Sequence, residues 1–302
     1  MKKTIRFSLI AMVALGLSLG SCKKSSTDTT TTPESTAEQK QMSADEHYQN
    51  TETQNSLNEA NDAIGTTGFG KAGSVSNATV SVDTPNKKVT VIYNGVNKFG
   101  NRSRTGQITV QLTSGSRWKD VGATIEVTYT AFKVTNVLNQ KSITFDGKVT
   151  VINQNGGRVF LDSNVTHLAT STAFTVTFDD NTQRVWNLSR QRVFNNSDYS
   201  VTETGTKTVG GYSNVIAWGT NRKGDQFYTQ ITTPIVFNSI LNTKCPQNIM
   251  SGQKIHNLPN SSLRADFGLD DNGNPVASGV CPTAYKITWT GLRGLVTSIV
   301  TY

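Results

Sequence analysis

The sequence predicts an all-β protein built as one large antiparallel meander, and three observations carry that prediction. Apolar and polar residues alternate with period two through most of the chain beyond residue 75. Thr, Val, Ile and aromatic residues fill these runs, and such side chains suit a pleated, half-buried surface. Turns rich in Gly, Asn and Asp separate the runs at short intervals, which leaves no room for crossover helices and excludes a parallel α/β sheet. A sheet of this size must curl (as an open sheet or half-barrel), split into a sandwich or close into a barrel, and the sequence leaves these open.

The elements follow in order from the N-terminus. Lys2, Lys3 and Arg6 precede an almost unbroken apolar run of 13 residues, 7–19. That run is too short for a permanent membrane span and has the flanks of a secretory signal. It ends in Leu19-Gly20-Ser21-Cys22, which resembles the lipobox of bacterial lipoproteins. The resemblance implies that residues 1–21 are removed and that the Cys22 thiol carries a diacylglyceryl group with palmitate-type acyl chains. More than one acyl chain on one residue anchors stably where a single chain is reversible. The expected location is the cell envelope, at the outer membrane, and Lys23-Lys24 after Cys22 favours the periplasm-facing side over the surface.

Residues 22–42 read as a disordered Ser/Thr-rich tether centred on Thr29-Thr30-Thr31-Thr32-Pro33. Asp28-Thr29-Thr30 resembles the short pattern that Bacteroidetes O-glycosylate in exported proteins. Over 43–64 a short helix is expected, because Ser43-x-x-Glu46 matches a capping box and Leu57, Ala60 and Ile64 fall at helical spacing. The β domain then occupies 75–302. Its first hairpin joins 78–82 to 88–93 across Asp83-Thr84-Pro85-Asn86-Lys87. Runs at 107–112, 124–129, 142–145, 148–152, 158–161 and 173–178 continue the pattern. After the Asp179-Asp180-Asn181 turn come 184–188, 199–202, 215–218, 226–231, 285–289 and 295–300.

Lys88-Val89-Thr90-Val91-Ile92-Tyr93-Asn94-Gly95, Gly100-Asn101-Arg102-Ser103-Arg104-Thr105-Gly106, Gly205-Thr206-Lys207-Thr208-Val209 and Gly219-Thr220-Asn221-Arg222-Lys223-Gly224 belong to turns and strands. Together with the Cys245-Pro246 … Cys281 unit they make most of residues 43–302 similar to a group of Bacteroidetes lipoproteins without an assigned activity. The resemblance implies an architecture and no chemistry. That group often carries extra cysteines flanking the first hairpin, and none stands at Asn77 or in 95–100.

Charge is distributed unevenly. The whole chain is +8, and removing the three cations of 1–21 leaves +5. In residues 22–63 three lysines face eight acids, so an acidic tether leads into a basic body of +10 over 64–302. Such a body attracts anionic lipid head groups or acidic glycans. Nucleic acid is disfavoured by the exported location and by the lack of a recognised binding motif.

Candidate chemistry is sparse. His47, His167 and His256 lie far apart, and three histidines with three cysteines leave little room for a metal centre, so no cofactor is expected. The segment 266–274 lacks the alternate acid spacing of a calcium loop and reads as a turn capped by Asn272-Gly273. Glutamates at Glu126 and Glu203 and eleven Asp in the body mark no catalytic pair. Most aromatics fall on the core side of the alternation. Trp118, flanked by Arg117 and Lys119 in a loop, is the expected exception, and with Arg222 and Lys223 it forms the candidate binding surface. Once Cys22 is acylated, Cys245 and Cys281 remain, both followed by proline in an oxidising compartment, and are expected to pair. These features describe an envelope-anchored binding or structural module, its ligand an anionic glycan or lipid. The alternatives are a glycan- or lipid-processing enzyme and an outer-membrane assembly factor. Catalysis predicts two acids converging in a deep pocket, whereas binding predicts a basic and aromatic face.

Overall fold

The computed structural model describes residues 36–64, 75–239, 241–246, 248–291 and 294–302. Cys22 and Thr29, and with them the signal, lipidation and glycosylation expectations, lie outside the described residues.

One helix, α1 (Thr36–Ile64), precedes fifteen strands. They are β1 (Ala78–Asp83), β2 (Lys88–Val96), β3 (Arg102–Ser114), β4 (Ala123–Asn136), β5 (Ser142–Asn153), β6 (Val165–Phe178) and β7 (Gln183–Phe194), then β8 (Ser200–Gly205) and β9 (Lys207–Val209). The set continues with β10 (Tyr212–Thr220), β11 (Gln226–Asn238), β12 (Ile249–Asn257), β13 (Ser262–Leu269), β14 (Ala284–Gly291) and β15 (Gly294–Thr301). All pair antiparallel in a single sheet that runs in chain order, except around β8 and β9. The slot between β7 and β11 is shared: β10 fills one end, pairing Val185–Leu188, and β8 fills the other, pairing Arg190–Phe194. β9 is a short flap on β10.

The sheet curls. Strands near both of its ends, β2 to β4 and β13 and β14, reach the same helix, so the sheet wraps around α1. The edges β1 and β15 do not pair, and the curl stays open along one side. Bulges interrupt the register in neighbouring strands: at Gly106 in β3, Ala131 in β4, before Thr150 in β5 and at Ala173 in β6. A row of bulges bends and twists a sheet locally, which is what wrapping demands. Ala131 and Ala173 both have positive φ, and their N–H groups donate to Asp146 Oδ1 (2.7 Å) and Asn187 Oδ1 (2.9 Å) from the next strand. At Gly106 (φ 90°) a Cβ would stand 2.0 Å from the Ala131 carbonyl oxygen, so only glycine fits.

The inner face carries the core. Tyr129, Phe132, Phe145, Phe174 and Trp186 form a continuous aromatic band across β4 to β7. The loops at one rim, after β11 and after β13, are stapled by Cys245 and Cys281, whose sulfurs lie 1.99 Å apart.

Two local expectations are corrected. The helix is 29 residues long and begins at Thr36, inside the expected tether, so Ser43 is not its N-cap. Ser43 and Glu46 instead share a helix face turned to the sheet, where Ser43 Oγ bonds Tyr285 Oη (3.4 Å) and Glu46 meets Arg184. Residues 158–161 form a turn and not a strand, because Phe160 has φ 60° and the Leu161 N–H donates to the Arg158 carbonyl (3.0 Å). The structure also contains β12 and β13, outside the runs expected from the sequence.

Candidate functional site

The helix inside the curl is polar. Ser43, Asp45, Glu46, Gln49, Glu52, Thr53 and Ser56 are all buried, beside a thin apolar strip of Leu57, Ala60 and Ile64. Acids on a buried helix need cations opposite them, and the inner face of the sheet supplies these at inward strand positions. Glu46 pairs with Arg184 (2.6 Å), Glu52 with Arg102 (2.6 Å) and Glu59 with Arg104. Asp45 pairs with Arg222 (2.6 Å), which also reaches Asp180 (3.0 Å). Arg222 stacks on Phe178 and Arg184 on Phe227, with ring centroids 3.4 and 3.9 Å away. Glu203 of β8 sits between Arg190 (3.1 Å) and Arg192 (3.9 Å) and accepts from Gln54 (3.4 Å).

These pairings do not balance. Seven cations, Arg102, Arg104, Arg184, Arg190, Arg192, Lys254 and, from the β10–β11 turn, Arg222, face six described carboxylates, Asp45, Glu46, Glu52, Glu59, Glu203 and the more exposed Asp180. The excess shows in individual groups. Burial raises the Glu46 carboxyl, yet the charges of Arg184 and Lys254 outweigh it and hold the pKa at about 2. For Asp45 and Glu52 burial wins over their arginine partners and the pKa rises. Burial pushes His47 down to about 4 and both His167 and His256 to about 3, so all three are neutral imidazoles at pH 7. Arg192 falls to about 9, through burial and the neighbouring Arg190.

α1 does not fill the space it occupies. A cavity of about 290 Å³ lies between it and β8, β10, β11 and β12. Its strand wall is mainly apolar, with Ile216, Ile231, Ile235, Phe237, Ile249 and Phe267, but also carries Glu203 and Arg102, and its helix wall is polar, with Asn50, Thr51 and Gln54. Lys254 projects into it. A second space of about 160 Å³ separates α1 from β3 and β4, and a third, of about 120 Å³, is lined by Trp118, Ile125, Val151, His167 and Phe194. Among the described residues no group of three or more His, Cys, Asp or Glu could hold a metal ion.

The candidate surface read from the sequence is corrected here. Trp118 is buried and packs on His167, with ring centroids 4.9 Å apart. The loop around it folds back: the Arg117 N–H and guanidinium both donate to Asp120 (2.9 and 3.0 Å), and the Gly157 N–H donates to the Lys119 carbonyl (2.8 Å). That turn leaves Arg117 and Lys119 exposed and drives the indole inward. Arg222 is turned toward α1, and Lys223 is exposed. The two pieces also lie apart, because the β3–β4 and β10–β11 connections emerge at opposite rims of the sheet. The buried cations Arg184, Arg190, Arg192 and Lys254 are not among the candidate residues of the sequence analysis. A signal existed in β7, where Arg184, Arg190 and Arg192 share the parity of Trp186, Leu188 and Phe194 and so must face the core.

Compared with models of protein families, with curated proteins and with solved structures, the chain gives no significant match.

Proposed function

We propose that this protein is a cell-envelope lipoprotein, anchored through acylated Cys22, whose curled sheet is a binding module for an anionic lipid or glycan. The binding site in this reading is the interior between α1 and the sheet, in place of the outer loops. One observation carries it: an interior that holds more cations than described carboxylates and also holds unfilled space. Uncompensated buried charge costs several kcal/mol per ion. An anionic ligand removes that cost.

Two measurements test the reading. Intact mass of the membrane-extracted protein should exceed the sequence from Cys22 by its acyl groups, and Cys22→Ser should release the protein or stall its processing. An unacylated, soluble mature form rejects the anchor. For binding, the chain from Thr36 onward is incubated with anionic or neutral vesicles, re-isolated, and analysed for carried lipid. Anionic lipid should be taken up in preference, and the preference should persist at about 0.5 M salt, because buried charges are screened far less than exposed ones. Equal uptake of both lipids rejects an interior anion site.

A further inference from the structure

Lys254 is 8% exposed and stands on the inner face of β12, opposite Ile231 of β11 and Ala265 of β13. Its ammonium makes no hydrogen bond or ion pair with any described residue. The carboxylates whose charge acts on it, Glu46 and Glu203, are already engaged, by Arg184 and by Arg190 with Arg192. The contact it does make is with the Phe267 ring, 5.5 Å away. An ammonium has three donors and is among the groups least tolerated in a protein interior without a partner. Here it faces the 290 Å³ cavity.

The walls of that cavity restrict what can enter. Ile231, Ile235, Phe237 and Ile249 offer apolar surface from the strands, while Asn50 and Gln54 on the helix side offer amide groups. The volume lies at the lower end of small-molecule sites, which suits one alkyl chain. One unpaired cation at the wall calls for one negative charge, and a carboxylate accepts charge-assisted hydrogen bonds from an ammonium. Resting on the reading that the interior binds anions, we infer that this cavity binds a single-chain monoanionic amphiphile of the fatty-carboxylate class, its head on Lys254 and its chain along β11 and β12.

The experiment uses calorimetric titration of the folded chain with laurate, with dodecanol and with dodecyltrimethylammonium, each below its micellar concentration. Laurate should bind with a stoichiometry near one, dodecanol at least about tenfold more weakly, and the cationic amphiphile not at all. Lys254→Met keeps the stem and removes the charge, and it should abolish the preference for laurate over dodecanol while dodecanol binding persists. If Lys254→Met does not fold, Ile249→Trp, which narrows the apolar wall, should weaken laurate and dodecanol together. Equal binding of laurate and dodecanol to the unaltered chain, or undiminished laurate binding by Lys254→Met, overturns the inference. If laurate fails to bind while anionic vesicle lipid is still taken up, this inference falls and the interior reading stands; if both fail, both fall.

Discussion

Glu46 and Arg184 show how the interior works at the scale of a residue. Both side chains are almost fully buried, 2% and 3% exposed, and each is the other's partner. Removing one partner strands the other charge, so Glu46→Gln should lower unfolding free energy by about 3–5 kcal/mol. Replacing both, Glu46→Leu with Arg184→Met, should recover most of that loss in urea unfolding. A double variant as unstable as the single one would show that packing, not charge, sets the cost. Acid should destabilise the fold by two routes with the same sign. The neutral histidines, His167 and His256 buried and His47 half-buried, have folded pKa values below the ordinary 6.5, so the unfolded chain binds protons first as pH falls from about 6.5 toward 3 to 4. Glu46, depressed to about 2, contributes stability above its ordinary 4.5 that is lost as pH falls toward 2. Asp45 and Glu52, raised by burial, act in the opposite direction. His167 packs between Trp118 and Phe194, and its Nε2 has no partner. His167→Phe should therefore flatten the fall in melting temperature between pH 7 and pH 4.5, and an unchanged slope would clear His167 of the effect.

At the scale of elements, the bulge row decides whether the strands can wrap. Gly106→Ala should cost at least about 2 kcal/mol, from strained φ and collision with backbone. Gly100→Ala, also at positive φ (73°) but with open space around it, should cost about half as much. Similar losses in thermal unfolding would mean that φ alone matters and that the close approach to Ala131 does not. Most strands were legible, since period-two alternation is local and survives any curvature, but β12 and β13 were not, and the alternating run 158–161 is a turn. Runs such as Val89, Val91 and Tyr93 point inward as the pattern requires. The helix was only half legible. Its residues 43–64 were found, but a capping-box pattern looks the same whether it opens a helix or faces a partner from the middle of one. The site was the least legible, because Glu46 finds Arg184 across 138 residues and nothing near either residue records the other. Trp118 misled for a related reason: charged neighbours in sequence say little once a turn separates their directions.

For the whole molecule, the polar interior makes stability depend on closing the curl around α1. The Cys245–Cys281 pair contributes at one rim by tying the β11–β12 loop to the β13–β14 loop, across a sequence separation of 36. In the chain-entropy description a loop of that length is worth about 3–4 kcal/mol. Thiol labelling of the denatured, unreduced protein should find neither cysteine reactive, and Cys245→Ser with Cys281→Ser should unfold at lower urea. Two reactive thiols per chain would exclude the bond.

The placement of the helix also governs time. α1 is made before every strand, yet its partners are spread from Tyr93 in β2 to Tyr285 in β14, and Ser43 meets Tyr285 across 242 residues. A polar helix with so thin an apolar strip gains little from local collapse, and its acids stay hydrated until the opposing arginines arrive. Contacts of such long range are slow to form, because loop-closure entropy is spent before they contribute. The early strands can zip as local hairpins while the helix waits, and enclosure comes only with the last part of the sheet. Synthesis order and assembly order therefore run in opposite directions at the N-terminus: the first described element of the chain is among the last to be secured.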